Sequence, residues 1–490
     1  MKRNMGWLVV WVGMSGCMSD TRTLAPMAPD QPWRQEEKVE SQKTGFALPR
    51  EAAAPAPHPH NPIDPKRRYT LPELIDLAQK NNPDTRIAWE TSKQAAAAVG
   101  LAQSAYLPEL SAQVLGGFER TPLPIPKDLK PKGYFTAHTK ELLPSLVIKW
   151  LLFDFGRRDA QVEGARALST ASNAAFTGKH QKLIFEVSKA YFVLDATHAQ
   201  LDVAERALKN AKLLQEAASD KAKQGLATTV EVAIAAREVA QAQLDLEHAR
   251  ANDREAYYAL METLGLNPTL RIQVESARGS DLPKGLERDV DTYITRALSQ
   301  RPDVAAAYAN VRASEAGVKG ARAAYYPTLG AEAALSQNMG TVKIDSGPSF
   351  HVNKPASAIL FRVSMPLYDG GLRSYAMRIA RSKKKEAKAE LEKAQDQAIH
   401  QVAQAYDAFK SALASYQAAR ALVKASDTAA RAALDAYHQG VGTFTDSMTS
   451  QTKSTQAHAA QVHAHAMVLT SAAALAFATG DLTSIAALDS

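Results

Sequence analysis

The sequence predicts a mainly α chain that contributes strands to a membrane β-barrel, arranged as two tandem repeats of helix, strand, strand, long helix and helix. Three observations predict it. Landmarks recur at a nearly constant offset of 215 to 219 residues, two stretches of 67 residues lack proline, and four short segments alternate apolar and polar residues with period two. Aromatics are only 7% of the 490 residues while alanine abounds, a composition suited to closely approaching helices rather than a broad globular core.

The first element is a leader. Lys2 and Arg3 precede an apolar stretch from Met5 to Met14, too short to span a bilayer as a helix, so residues 1–16 are expected to be a secretory signal peptide. Met14-Ser15-Gly16-Cys17 resembles a bacterial lipobox, which makes Cys17 the expected lipid attachment site; Met18 after it, rather than Asp, implies the outer membrane. Cys17 is the single cysteine, so no disulfide can form within the chain. Residues 17–68 are rich in Pro, Ala and polar residues, as in Pro55-Ala56-Pro57-His58-Pro59-His60, and read as a lipid-anchored tether. The net charge of +7 suggests no nucleic-acid partner, because the bases alternate with acids; even Lys383-Lys384-Lys385 is followed by Glu386.

The body holds one repeat over 69–269 and a second over 288–484. Asn82-Pro83-Asp84 returns as Arg301-Pro302-Asp303, and Tyr106-Leu107-Pro108 as Tyr325-Tyr326-Pro327, both at an offset of 219. Asp154-Phe155-Gly156 then matches Asp369-Gly370-Gly371, and Gly225, Glu231 and Gly265 match Gly440, Asp446 and Gly480, all at 215. Each repeat opens with a helix, about 71–105 and 290–324, interrupted by its proline. The proline-free stretches 157–223 and 372–438 can each be one helix of roughly 100 Å, and return helices over 228–264 and 443–479 give roughly 55 Å. Leu183, Val187, Ala190, Leu194, Thr197 and Leu201 keep the spacing of four and three that winds helices into a left-handed supercoil.

Strands are expected near 107–119, 143–154, 327–338 and 357–368. Leu110, Ala112, Val114, Gly116 and Phe118 share one face of the first; Leu146, Ile148, Trp150 and Leu152 one face of the second. Leu329, Ala331, Ala333 and Leu335 align in the third, and Ile359, Phe361, Val363, Met365 and Leu367 in the fourth. Apolar-out, polar-in alternation suits a membrane barrel, and no apolar run of about twenty residues beyond the leader offers a helical span instead. Four strands cannot close a barrel, and lipid tolerates no open edge, so several chains must share one; three would supply twelve strands. The strand-to-helix turns are Asp154 with Gly156 and Asp369 with Gly371.

At the far end of the longest helices lie two turns, Gln224–Thr228 and Gln439–Thr443, where glycine allows reversal and threonine can cap the return helix. One acid follows each, Glu231 and Asp446, which under three-fold symmetry would form carboxylate rings or, alternatively, serve only the helix dipole.

These marks, Tyr-x-Pro before the strands, Asp-x-Gly after them and the glycine helix turns, resemble the TolC-like outer membrane factor family over about 69–482, in particular its lipoprotein branch associated with resistance-nodulation-division efflux systems. The resemblance implies a homotrimer with a twelve-stranded barrel in the bacterial outer membrane and a long periplasmic α-helical barrel. It implies a passive exit duct for drugs, toxic compounds or metals, with a periplasmic adaptor and an inner-membrane transporter as partners. By that resemblance Gly225, Leu226, Gly440 and Gly442 are the adaptor-docking tips, and Tyr437 with Asp446 and Glu231 the channel constriction. Gly442 stands where some members carry an arginine, which departs from their charge-locked gate. A type I secretion component and a non-channel periplasmic coiled-coil lipoprotein are the alternatives. No enzyme signature occurs: no Gly-x-Ser-x-Gly, phosphate-binding glycine loop, Cys-x-x-Cys or His-Glu-x-x-His. His458, His463 and His465 do not share one helix face, and neither a metal nor a cofactor is expected.

Overall fold

A computed structural model describes residues 64–128, 131–277, 282 and 289–482. Cys17, the leader and nearly all of the tether lie outside these residues. A two-residue strand, β1 (Arg68–Tyr69), leads into α1 (Leu71–Asn81) and α2 (Pro83–Ser104), then β2 (Glu109–Pro124), β3 (Tyr134–Phe153), the long α3 (Arg157–Lys223) and α4 (Thr229–Thr263). After β4 (Gln273–Val274) the series recurs as α5 (Val290–Gln300), α6 (Pro302–Ala323), β5 (Thr328–Ile344), β6 (Ser349–Ser364), α7 (Leu372–His438) and α8 (Phe444–Thr479).

The helix breaks follow from their residues. Pro83 and Pro302 cannot donate the bond that would continue α1 or α5, so each begins a new helix at N1, where its missing N–H is not needed. Each break seats the end of a return helix. A Cβ on Gly265 would lie 3.0 Å from the Asn81 carbonyl, and one on Gly480 3.3 Å from the Arg301 nitrogen, which explains why both landmarks are glycine. The hydrogen bonds repeat as well: Asn82 Nδ2 donates to the Thr263 carbonyl and Arg301 to the Ala478 carbonyl, each at 3.0 Å.

The main core gathers where α1, α4 and α8 meet the middle of α3, around Leu74, Val187, Tyr191, Leu260 and Leu469. Leu183, Val187 and Leu194 from the heptad series are buried there. Phe409, Val468 and Leu475 form the counterpart between α7 and α8. Helix α8 departs from the expectation that no helix could compete for a membrane: its best 18-residue window has a mean hydropathy of 1.4, and length and composition alone would let it cross. The physical reason is packing on two sides. Leu469 and Ala473 enter the α3 core while Val468 and Leu475 face α7, so this segment has little room for a charged face.

The four long strands form one antiparallel sheet in the order β2-β3-β5-β6. The ladders run beyond the alternating segments at the hairpin ends, to Pro124, back to Tyr134, to Ile344 and back to Ser349, because backbone pairing persists where the sequence no longer needs one apolar face. The last strand, expected to reach 368, stops at Ser364: Thr328 is its final partner, and Pro366 lacks the N–H to continue. Pro144 sits inside β3, and the β3–β5 register shows no partner for it between Leu142 and Ser145, as a residue without a donor requires.

Candidate functional site

Two places carry the sequence landmarks: the helix turns, and the junctions where strand becomes helix. At the first turn, Leu226 N–H donates back to the Lys221 carbonyl at 2.8 Å while Gly225 takes φ +73°, closing α3 with a left-handed residue. At the second, Gly440 has φ +79°, and the N–H groups of Val441 and Gly442 both donate to the Ala436 carbonyl at 3.0 Å. Gly225 and Gly440 face open space, whereas a Cβ on Gly442 would lie 2.9 Å from that of Ala436. Gly442 therefore folds the turn against α7, and no side chain fits there. Leu226 and Val441 stand exposed at the two ends.

Both acids occupy the third position of their return helices. Thr228 Oγ1 accepts from the Glu231 N–H at 3.2 Å, and Thr443 Oγ1 accepts from the Asp446 N–H at 3.1 Å. Thr443 also donates its hydroxyl to the Asp446 carboxylate at 2.6 Å, so this acid takes part in the cap as well as facing the helix dipole.

Tyr437 is buried, in a cluster with Ala218, Ala235, Phe444 and Met448 that joins the α3–α4 hairpin to the α7–α8 hairpin. Its ring meets Phe444 edge-on at 5.5 Å, and the Lys221 ammonium sits 3.8 Å from its centroid. Its hydroxyl is the one buried side-chain polar atom without a partner among the described residues. Burial, and secondarily the charge of Glu231, pushes the phenol pKa up. The constriction residue implied by resemblance thus lies between two hairpins of one chain. Sequence reasoning missed Lys221, whose place above the ring depends on the docking of α3.

The junctions are salt-bridged, and sequence reasoning also missed the arginines. Asp154 accepts from the Arg158 backbone N–H at 3.0 Å and its Nε at 3.1 Å, and Arg158 bonds the carbonyls of Ala105, Leu151 and Leu152. In the second repeat Asp369 accepts from Arg373 Nε at 2.5 Å, and that bond is the leading cause of its lowered carboxyl pKa. Gly156 and Gly371 start the long helices at φ +84° and +91°. Tyr106 and Tyr325 lie against the two guanidinium groups. A hydrogen bond from Tyr106 to Asp159, aided by burial, pushes the Tyr106 phenol up to about 12. The recurring Arg four residues after Asp was the signal that could have found the clamp.

Two of the three histidines are taken up by helix packing: His458 Nε2 lies 3.0 Å from Asp427, and the half-buried His465 ring is 5.6 Å from Tyr416. His463 joins neither contact.

A strand wall continued by paired helical hairpins, closed by glycine turns at their far end, defines a class of outer-membrane duct proteins. The chain belongs to the outer membrane efflux protein family, whose profile matches residues 74–266 and 293–481. It is 27% identical over 430 residues to Protein CyaE of Bordetella pertussis, covering 87% of each chain. Outer membrane protein OprJ of Pseudomonas aeruginosa is 25% identical over 371 residues, 76% of this chain and 75% of that one. The fold matches the outer membrane protein VceC of Vibrio cholerae with a TM-score of 0.69 at 21% identity, over 84% of this chain and 96% of that one. The protein is an outer-membrane efflux component that extends into the periplasm, a passive conduit and not an enzyme.

Proposed function

We propose that three copies close into one twelve-stranded, tunnel-bearing duct, tethered by lipid on Cys17 and docked at its glycine tips to a periplasmic adaptor and an inner-membrane transporter. The observation that carries this reading is the unfinished second repeat. Inside the chain, the first repeat hands on to the second through β3 against β5, α3 against α6, and α3 against α8. The equivalent partners of β6 and α7 would be β2, α2 and α4, yet β2 and β6 are the two ends of the sheet. A second copy supplies them, and the same step repeats until the ring closes with no edge in lipid.

Register makes the proposal specific. Within the chain, Ala160 lies 3.5 Å from a Cβ placed on Gly320, and Gly164 likewise meets Ala316 at 3.6 Å. Shifting by the repeat offsets puts Tyr375 and Ile379 of one copy against Leu101 and Ala97 of the next. Tyr375 and Leu101 are 61% and 76% exposed in the single chain, as residues awaiting a neighbour would be. Exposed Leu226 and Val441 support docking at the tips, and Tyr437 with Glu231 and Asp446 would narrow the same end. Relatives whose names state a cargo differ among themselves, from cations to toluene, so the cargo belongs to the pump that docks.

The test is a chain carrying Leu101→Cys and Tyr375→Cys together. Oxidation is expected to give covalent trimers and nothing larger, with monomers recovered on reduction, while either single variant gives no trimer. Failure of the pair to cross-link in outer-membrane preparations, or an endless ladder, would refute a closed three-fold ring with this seam.

A further inference from the structure

The strands sort their charges by face. Register places Glu109, Glu119, Glu141 and Glu332, every acid of the four long strands, on the face opposite Leu110, Leu146 and Phe361. Three bases share that face, and there the signs are matched: Lys149 stands in register between Glu109 and Glu332. Within the four strands the apolar face carries no acid, and its basic side chains are confined to the hairpin end. Arg120, His138 and Lys343 stand side by side in one row across three strands, with Lys140 and His351 in the next row. All five are exposed. None of them has an ion-pair partner among the described residues.

Arg120 and Lys343 flank His138 in that row with Lys140 in the next, and like charges gathered on one face of a sheet with no acid between them repel one another. The arrangement therefore asks for an anion from outside the chain, and its position says which. From Leu110 to Phe118 the apolar face covers roughly 27 Å of strand, about 20 Å along the membrane normal at the tilt of such barrels. Arg120 is the next residue on that face, at the edge of the hydrocarbon and on the side away from the helices. We propose that this row binds the phosphate groups of outer-leaflet lipid, Arg120 offering a two-pronged donor and the lysines point charges. The inference rests on the strands forming the membrane wall.

The full-length protein in detergent is titrated with micelles of a bis-phosphorylated glucosamine-disaccharide glycolipid, the same lipid after dephosphorylation, or inorganic phosphate, and its unfolding temperature is read. The phosphorylated lipid is expected to raise that temperature about 4 °C more than the dephosphorylated lipid, and free phosphate to do nothing. Arg120→Gln, Lys140→Gln and Lys343→Gln together should weaken the phosphate-dependent response at least about tenfold. Glu119→Gln with Glu141→Gln, on the other face, should leave it intact. Equal stabilisation by both lipids, an unchanged triple variant, or an equal effect of free phosphate overturns the proposal. Release of the wild type from membranes by alkaline carbonate would overturn the membrane wall itself, whereas retention without a phosphate-dependent shift overturns only this site.

Discussion

The Tyr437 ring and its hydroxyl have opposite relations to their surroundings. The ring is held by Phe444 and by the Lys221 ammonium, but the hydroxyl is buried with no acceptor among the described residues. An unpaired buried hydroxyl costs about 1–3 kcal/mol, and a lost aromatic ring in a packed cluster about 3–5 kcal/mol. Tyr437→Phe is therefore expected to hold or raise the unfolding temperature of the purified protein, and Tyr437→Ala to lower it clearly. If Phe proves as damaging as Ala, the hydroxyl has a partner on a neighbouring copy and the intrachain account is wrong. The sequence could name this tyrosine only by resemblance. Its repeat counterpart is Ala222, so nothing local marks the site; burial arises when the α3–α4 hairpin meets the α7–α8 hairpin and brings Lys221 over the ring. Glycines were easier to read where φ is positive, as at Gly225 and Gly440, than where contact decides, as at Gly442.

Among the elements, the long helices were legible because a proline-free run permits only one regular structure of that length, and α3 and α7 fill those runs from Arg157 to Lys223 and from Leu372 to His438. The strand ends were not legible. Alternation records which face meets lipid, and it fades where Pro122, Pro124 and Tyr134 still hold ladder positions beyond it. Helix α8 reads as a return helix without an unbroken apolar run of about twenty residues; what that reading lacks is its packing, since α8 has neighbours on two sides. Its His465 turns that packing into a pH effect. Burial lowers the imidazole pKa below its ordinary 6.5, with the charge of Asp195 on α3 opposing, and the uncharged Tyr416 ring on α7 alongside. Between the lowered value and 6.5 the unfolded chain takes up a proton that the folded chain refuses, so stability falls as pH drops through 6.5. His180, also lowered by burial, acts in the same direction. Thermal unfolding measured between pH 7.5 and 5.5 should show a declining midpoint, with a shallower decline in His465→Phe. Identical slopes in the two proteins would rule out a contribution from this residue.

At the scale of the whole molecule, two devices could hold the protein in its membrane, the lipid expected on Cys17 and the strand wall, and their strengths differ in kind. A single acyl chain binds a bilayer marginally and reversibly, and even several leave the protein outside the hydrocarbon. The strands present Leu110, Val114, Phe118, Ile359, Phe361 and Val363 on one face, all exposed in the single chain. Six such side chains at ~1.5 kcal/mol each contribute on the order of 10 kcal/mol per copy once in lipid. Withdrawal would also open backbone ladders that a closed barrel keeps sealed. The lipid should therefore assist delivery and be dispensable for retention. Exchanging residues 1–17 for a leader cut by the ordinary signal peptidase gives a chain with no acylated cysteine. That chain is expected to sediment with the outer membrane, resist alkaline carbonate and run as a heat-sensitive oligomer on gels. Recovery of it in the soluble periplasmic fraction would instead favour the rod-like lipoprotein alternative, in which the sheet packs in water and only the acyl chains touch the bilayer.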